Sequence, residues 1–218
     1  TVYGLALHQG FGYSGGTFHR VSGSHIPVAI TFEVVGGKYV LKEYWTPRDG
    51  SYYVQDVRDK FPDEVEDEAL DTQKYILAQK QTCYDQGVRY GGVDTYSAVE
   101  HLFEVIESSP ATSSRPADYI DAHSIEYREL MYYGDYTLQY IFSKFHLEGN
   151  QTGLRGQLMR IALDDLAPEA QLQLHAETGQ AYFDEWRASA IRVSEQHDMD
   201  WIKANQPAIW LLLQMIDE

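Results

Sequence analysis

Cysteine is almost missing from this chain: Cys83 is the only one among 218 residues. An internal disulfide is therefore excluded, and with it the disulfide framework that staples many small secreted domains. Low cysteine suits a cytosolic protein and equally an exported domain that does without disulfides, so the compartment stays open. Cys83 falls among Ile76, Leu77 and Val88 in a helical pattern and reads as a small core residue. Positive charge is scarce as well. Seventeen Lys and Arg stand against 33 Asp and Glu, a net charge of -16, and such a field repels nucleic-acid phosphate and anionic membrane surfaces. A nucleic-acid partner is not expected.

No apolar run approaches the ~20 residues that cross a bilayer, and the closing AIWLLLQMI has the character of a buried core helix. The chain opens on Thr1 with neither methionine nor the basic and apolar regions of a leader, which reads as an excised or processed soluble portion. Catalytic motifs are missing too. There is no H-E-x-x-H helix, no G-x-x-x-x-G-K-[ST] loop, no G-x-S-x-G elbow, and no Ser-x-x-Lys or Lys-Thr-Gly of the penicillin-recognising enzymes. The expectation is a non-enzymatic chain without cofactor or metal.

What is present begins as sheet. With 44% hydrophobic residues the chain can bury a sizeable core, and we expect one α+β domain over 1–218, with a β subregion at 1–50 and a helical subregion at 51–218. Tyr3, Leu5, Leu7, Phe11 and Tyr13 alternate along an opening strand, and FGYSGG at 11–16 suits a bulged hairpin better than a phosphate loop, because no helix follows it. A second strand runs from Pro27 to Val35, and Gly36-Gly37 makes a two-residue hairpin turn. Pairing Val35 with Lys38 sets Phe32 against Leu41, Ile30 against Glu43 and Val28 against Trp45. This N-terminal antiparallel β-sheet is expected to pack on a larger, mainly α-helical part.

Helical periodicity then predicts helices over 51–60, 71–90 and from an Asp94 cap onward, with further helices over 152–166, 168–195 and 198–216, Pro207 forcing a kink or restart. The acidic run FPDEVEDEALD reads as a solvated turn and the first turn of the next helix, since the calcium-loop ladder of D-x-D-x-D-G is absent. Ser124 is placed as the N-cap of a helix bearing Tyr127, Leu130 and Met131, interrupted at Gly134. Seventeen tyrosines are unusual, and five of them, Tyr127, Tyr132, Tyr133, Tyr136 and Tyr140, follow the loop at 108–116. They suit either packing between helices or a contact surface. His123, Glu126 and Glu129 are spaced i, i+3, i+6, which brings them near one face. Ordinary first-turn carboxylates explain that spacing better than a metal site.

The segment SSPATSSRPADYIDAHSIEYRELMYYGDY at 108–136, with YGLALHQGFGYSGG near the start and KEYWTPRDGSYY after the hairpin, resembles the C-terminal extracytoplasmic region of bacterial membrane metallopeptidases of the BlaR-type antirepressor family. The resemblance spans most of residues 1–160. It implies a longer membrane protein with an upstream zinc peptidase domain, whose outer domain senses a signal at the extracytoplasmic face of the bacterial membrane. Relatives that sense beta-lactams acylate a serine in a penicillin-binding-like domain, and the motifs of that serine are missing here. The expectation is a non-catalytic sensor or ligand-binding domain for an envelope ligand or protein partner, touching the membrane only through flanking segments. Its recognition surface would be the loop at 108–118 and the helix after it, with Tyr119, His123, Glu126 and Tyr127 as ligand-binding candidates. A stand-alone helical domain that binds a partner protein is the alternative, and a hydrolase using His123 and Glu126 as acid or base is a third reading.

Overall fold

The computed structural model describes residues 1–14 and 17–216. The chain is α+β, and it gathers into two compact units, Thr1–Tyr90 and Gly91–Glu218. The grouping cuts 40 residues later than the β/helix division at residue 50, because a three-stranded ribbon cannot bury its own faces and takes three helices with it.

In the first unit, β1 (Val2–Ser14), β2 (Thr17–Val35) and β3 (Lys38–Trp45) form an antiparallel sheet in that order. Gly36 and Gly37 turn the β2–β3 hairpin at φ of 59° and 77°, values that only glycine holds without steric cost. The register follows the expected pairing from Val35↔Lys38 to Phe32↔Leu41 and then slips, so that Thr31 meets Glu43, Ile30 meets Tyr44 and Ala29 meets Trp45. Lys42 is the extra residue of a β-bulge. The expected Val28–Trp45 and Ile30–Glu43 pairs are therefore wrong, since one inserted residue moves everything after it to the other face. A second shift lies at Gly10/Phe11 in the β1–β2 pair, and the turn at 15–16 predicted for this hairpin lies outside the described residues.

The slip builds a row across the sheet: Tyr3 pairs with Ala29, and Ala29 with Trp45. Ala29 is small and fully buried, and Phe61 stands over the row with its ring 5.0 Å from Tyr3 and 6.1 Å from Trp45. Phe61-Pro62 ends α1 (Tyr53–Lys60), which follows a short 3-10 turn, and starts α2 (Asp63–Leu70). The acidic run is thus a helix of its own. Asp63, Glu64 and Glu66 occupy its first turn, where carboxylates meet the positive end of the helix dipole. Val57, Phe61 and Ala69 form a small core with Trp45, Tyr53, Val65 and Leu70. The predicted helix over 71–90 accordingly shortens to α3 (Ile76–Gly91).

The second unit contains α4 (Thr95–Glu107), α5 (Pro116–Ala122), α6 (Ser124–Tyr133), α7 (Asp135–Phe142), a π-helical turn at Ser143–Glu148, α8 (Leu154–Leu166), α9 (Gly179–Gln196), α10 (Met199–Asn205) and α11 (Pro207–Ile216). Asp94 caps α4 by accepting from the Ser97 amide, and Pro207 restarts the last helix. The single helix expected over 168–195 is instead a 3-10 turn at Pro168–Ala170, a non-helical stretch and α9. At the core, the rings of Phe142, Phe145, Phe183 and Trp186 pack on one another with centroids 4.8 to 6.3 Å apart. All four are buried, and each ring contributes on the order of 2–3 kcal/mol through burial alone.

The entries to α8 and α9 touch backbone to backbone: a Cβ added at Gly179 would lie 2.0 Å from the Gly156 carbonyl oxygen. No rotamer can relieve that overlap. We predict that Gly179→Ala lowers unfolding free energy by ~3 kcal/mol through overpacking. Gly153→Ser, which enters open space at the cap of α8, should change it by less than ~0.5 kcal/mol. Urea denaturation of the two variants checks the difference, and equal midpoints would contradict it.

Candidate functional site

The segment at 108–136 is held by its own side chains. Ser113 Oγ donates to Asp118 Oδ2 at 2.6 Å and accepts from the Arg115 amide at 3.0 Å, which fixes the turn into α5 with Pro116 in its first turn. The Tyr119 hydroxyl donates back to the Ser113 carbonyl at 3.0 Å. Ser124 is not the N-cap expected of it. The short helix α5 ends at His123, whose φ of -123° and ψ of 43° form the joint, and α6 starts directly at Ser124.

His123 is largely shielded. Its Nε2 lies 2.9 Å from Ser109 Oγ, and its Nδ1 lies 3.9 Å from Glu126 Oε2. Hydroxyl, imidazole and carboxylate therefore stand in the order of an acid–base relay, but the second separation exceeds a hydrogen bond. Tyr127 is buried and donates to Asp165 Oδ2 at 2.6 Å; burial first, and then the carboxylate, raise its pKa well above the usual phenol range. Tyr119 is buried too. The four sequence candidates thus share one region, where Tyr119 ties α5 to its loop, Tyr127 ties α6 to α8, and His123 bonds Ser109 with Glu126 nearby. Among the described residues no group of three or more His, Cys, Asp or Glu side chains is placed to hold a metal ion, so Glu129 completes no site with His123 and Glu126.

Gly134 separates α6 from α7 at φ 53° and ψ -117°, and Thr137 Oγ1 bonds back across the break to the Leu130 carbonyl at 2.7 Å. The break turns Tyr140 inward. Its hydroxyl donates to Glu100 at 2.7 Å and accepts from Arg155 at 2.8 Å. Arg155 also reaches Glu100 at 3.0 Å and Glu107 at 2.7 Å, and Lys144 holds Glu100 at 3.1 Å and Glu148 at 2.9 Å. Burial pushes the Glu100 pKa up, yet hydrogen bonds from Tyr140, Lys144 and Arg155 outweigh it and leave the carboxyl below its ordinary value. Burial likewise opposes charge on Arg155, and the two glutamates with Tyr140 overcome it. Every charge in this network has a partner of opposite sign. It clamps α4, α7 and α8, with Arg155 Nε the buried donor left without a hydrogen-bond partner in it.

Arg155→Met would leave Glu100 and Glu107 without their shared cation, a loss of ~2–4 kcal/mol at neutral pH. Because the folded Glu100 pKa lies below its ordinary value of 4.5, the stability that it contributes is full above that pH and is lost as pH falls through the folded pKa. The gap between wild type and variant, read by urea melts, is therefore expected to narrow in acid. A gap that widens on acidification would contradict this assignment.

Cavities lie elsewhere among the described residues. One of about 580 Å³ opens in the first unit against Tyr3, Leu5, Phe61, Val65, Ala69 and Tyr75, with Glu64, Glu68 and Gln79 also on its wall. Another of about 350 Å³ lies around Trp45, Arg48 and Asp56, where Arg48 binds Asp56 through two guanidinium nitrogens and pulls that carboxyl down to about 2. The third, about 220 Å³, lies in the second unit between Glu169–Leu172 and Trp186, Val193 and Ile209. The first of these, at about 580 Å³, falls in the 300–1,000 Å³ range of small-molecule pockets and is mostly apolar. Sequence reasoning misses it: Tyr3 falls within the strand alternation, and Glu64 and Glu68 within an acidic run that reads as a solvated turn and helix start. The available signal was an acidic helix placed immediately after Phe61-Pro62. Comparison with protein-family models, curated proteins and solved structures finds no match to the chain.

Proposed function

We propose that this chain is a non-catalytic recognition domain, the extracytoplasmic sensor part of a BlaR-like signal-transducing membrane protein that works without a penicillin-binding serine. The observation that carries the recognition reading is the preformed cleft on β1, α2 and α3, large enough for a small organic ligand. The resemblance of residues 1–160 supplies the setting, at the outer face of a bacterial membrane and attached through flanking segments. Among the described residues no helix is long and apolar enough to cross a membrane. The recognition surface moves from 108–127 to the cleft because the polar groups of Tyr119 and Tyr127 are already spent on internal hydrogen bonds. A ligand seated between β1 and α2 would act by favouring one arrangement of those elements over another.

Calorimetric titration of the folded chain with beta-lactams and soluble cell-wall fragments, followed by intact-mass measurement, tests this. The account expects saturable binding of at least one envelope compound with the protein mass unchanged, and loss of that binding in Val65→Trp, which fills the cleft. Silence with every compound would count against recognition, and a mass increase from an acylated serine would overturn the non-catalytic assignment.

A further inference from the structure

We infer that the cleft selects an amphipathic cation, a ligand with an apolar body and an amine or quaternary ammonium head. The inference rests on the cleft being the recognition site proposed above and assigns its ligand class. The floor is apolar: Phe61 and Ala69 are each 5% exposed, and Tyr3, Leu5 and Val65 continue the wall. Such a surface rewards removal of an alkyl or aryl body from water.

The lip is anionic. Glu64 and Glu68 lie one helical turn apart on α2, an i, i+4 pair of like charges that destabilises an isolated helix. Both line the cleft, and neither Lys nor Arg is among its lining residues. An anionic ligand therefore meets two carboxylates, of which only Glu68 carries a cation, the Lys74 ammonium at the edge of the wall. The chain itself demonstrates the preferred chemistry, because the Lys74 ammonium binds Glu68 and stands 5.2 Å from the centre of the Tyr75 ring, which is part of the wall. A carboxylate with an aromatic face is a combination that holds an ammonium by ion pairing and cation–π attraction. The Glu64 carboxylate has no hydrogen-bond or ion-pair partner among the described residues, and as an exposed group it remains available for a second cation. Lys74 acts in this arrangement as a built-in competitor for Glu68.

The test uses the whole chain and three probes of matched shape: phenylbutylammonium, phenylbutanol and phenylbutyrate, titrated by calorimetry at low salt. The ammonium is expected to bind ~5-fold more tightly than the alcohol, the size of one exposed ion pair with a cation–π contact, and the carboxylate most weakly. Glu64→Gln, at an exposed position that does not threaten the fold, is expected to reduce the preference to less than ~2-fold, and Lys74→Gln to raise ammonium affinity by ~3–5-fold without changing that of the alcohol. Val65→Trp, checked for native circular dichroism, is expected to abolish all three. Equal binding of ammonium and alcohol, or tighter binding of the carboxylate, would overturn the cationic assignment and leave the cleft as a recognition site. No binding of any probe, or binding indifferent to Val65→Trp, would overturn both. No gain in Lys74→Gln would overturn the reading of Lys74 as a competitor for Glu68.

Discussion

One extra residue in β3 decides how the first unit is built. Without the bulge at Lys42, Trp45 would oppose Val28 and point to the face of the sheet away from Ala29. With it, Tyr3, Ala29 and Trp45 form one row, low in the middle and aromatic at both ends, and Phe61 fits over that row. Phe61 is also the hinge point between α1 and α2. Seating it fixes where α2 starts, and thereby where Glu64, Val65 and Glu68 face β1. The cleft is the space left between those seated elements, so its position follows from the register slip.

The other wall depends on how α3 meets the outer edge of β1. An edge strand presents unpaired carbonyls, and α3 covers two of them: Gln79 donates to the Leu5 carbonyl at 2.8 Å, and Cys83 Sγ lies 3.9 Å from the Leu7 carbonyl. Residues four apart on a helix rise about 6.0 Å, and residues two apart on a strand about 6.8 Å, so the spacing of the two contacts nearly matches. Cys83 is thus an edge contact, and partial burial raises its thiol pKa. The second unit is fixed by different means, a paired charge network at Arg155 and the backbone contact of Gly156 with Gly179. Both spend their chemistry on packing.

The parts of the fold legible in the sequence were those set by local rules. Glycine pairs, alternation and caps placed the Gly36-Gly37 hairpin, the Asp94 cap and the Pro207 restart, because each needs only neighbouring residues. The misplaced features are tertiary. Nothing local to KYVLKEYW marks Lys42 as a bulge, and what demands it is Phe61, sixteen residues beyond Trp45. The Ser124 cap is a sound local inference overridden by α5, which Pro116 starts and which leaves His123, at φ -123° and ψ 43°, as the joint to α6. At the candidate site, the sequence drew attention to Tyr119, His123, Glu126 and Tyr127 because that segment is distinctive. Its distinctiveness comes from a loop and two helix joints that need those side chains internally. The cleft is illegible because it forms where β1 meets α2 and α3, which lie far from it in sequence, and its carboxylates are indistinguishable in sequence from a solvated helix face.

The central claim is that recognition takes place on the sheet unit. The most direct measurement is an amide chemical-shift titration of the whole chain with phenylbutylammonium. The account predicts concentration-dependent shifts centred on Leu5, Val65, Glu68 and Gln79, with the amides of Tyr119, His123 and Tyr127 unmoved. Shifts centred on His123, or a spectrum that does not respond at all, would contradict it.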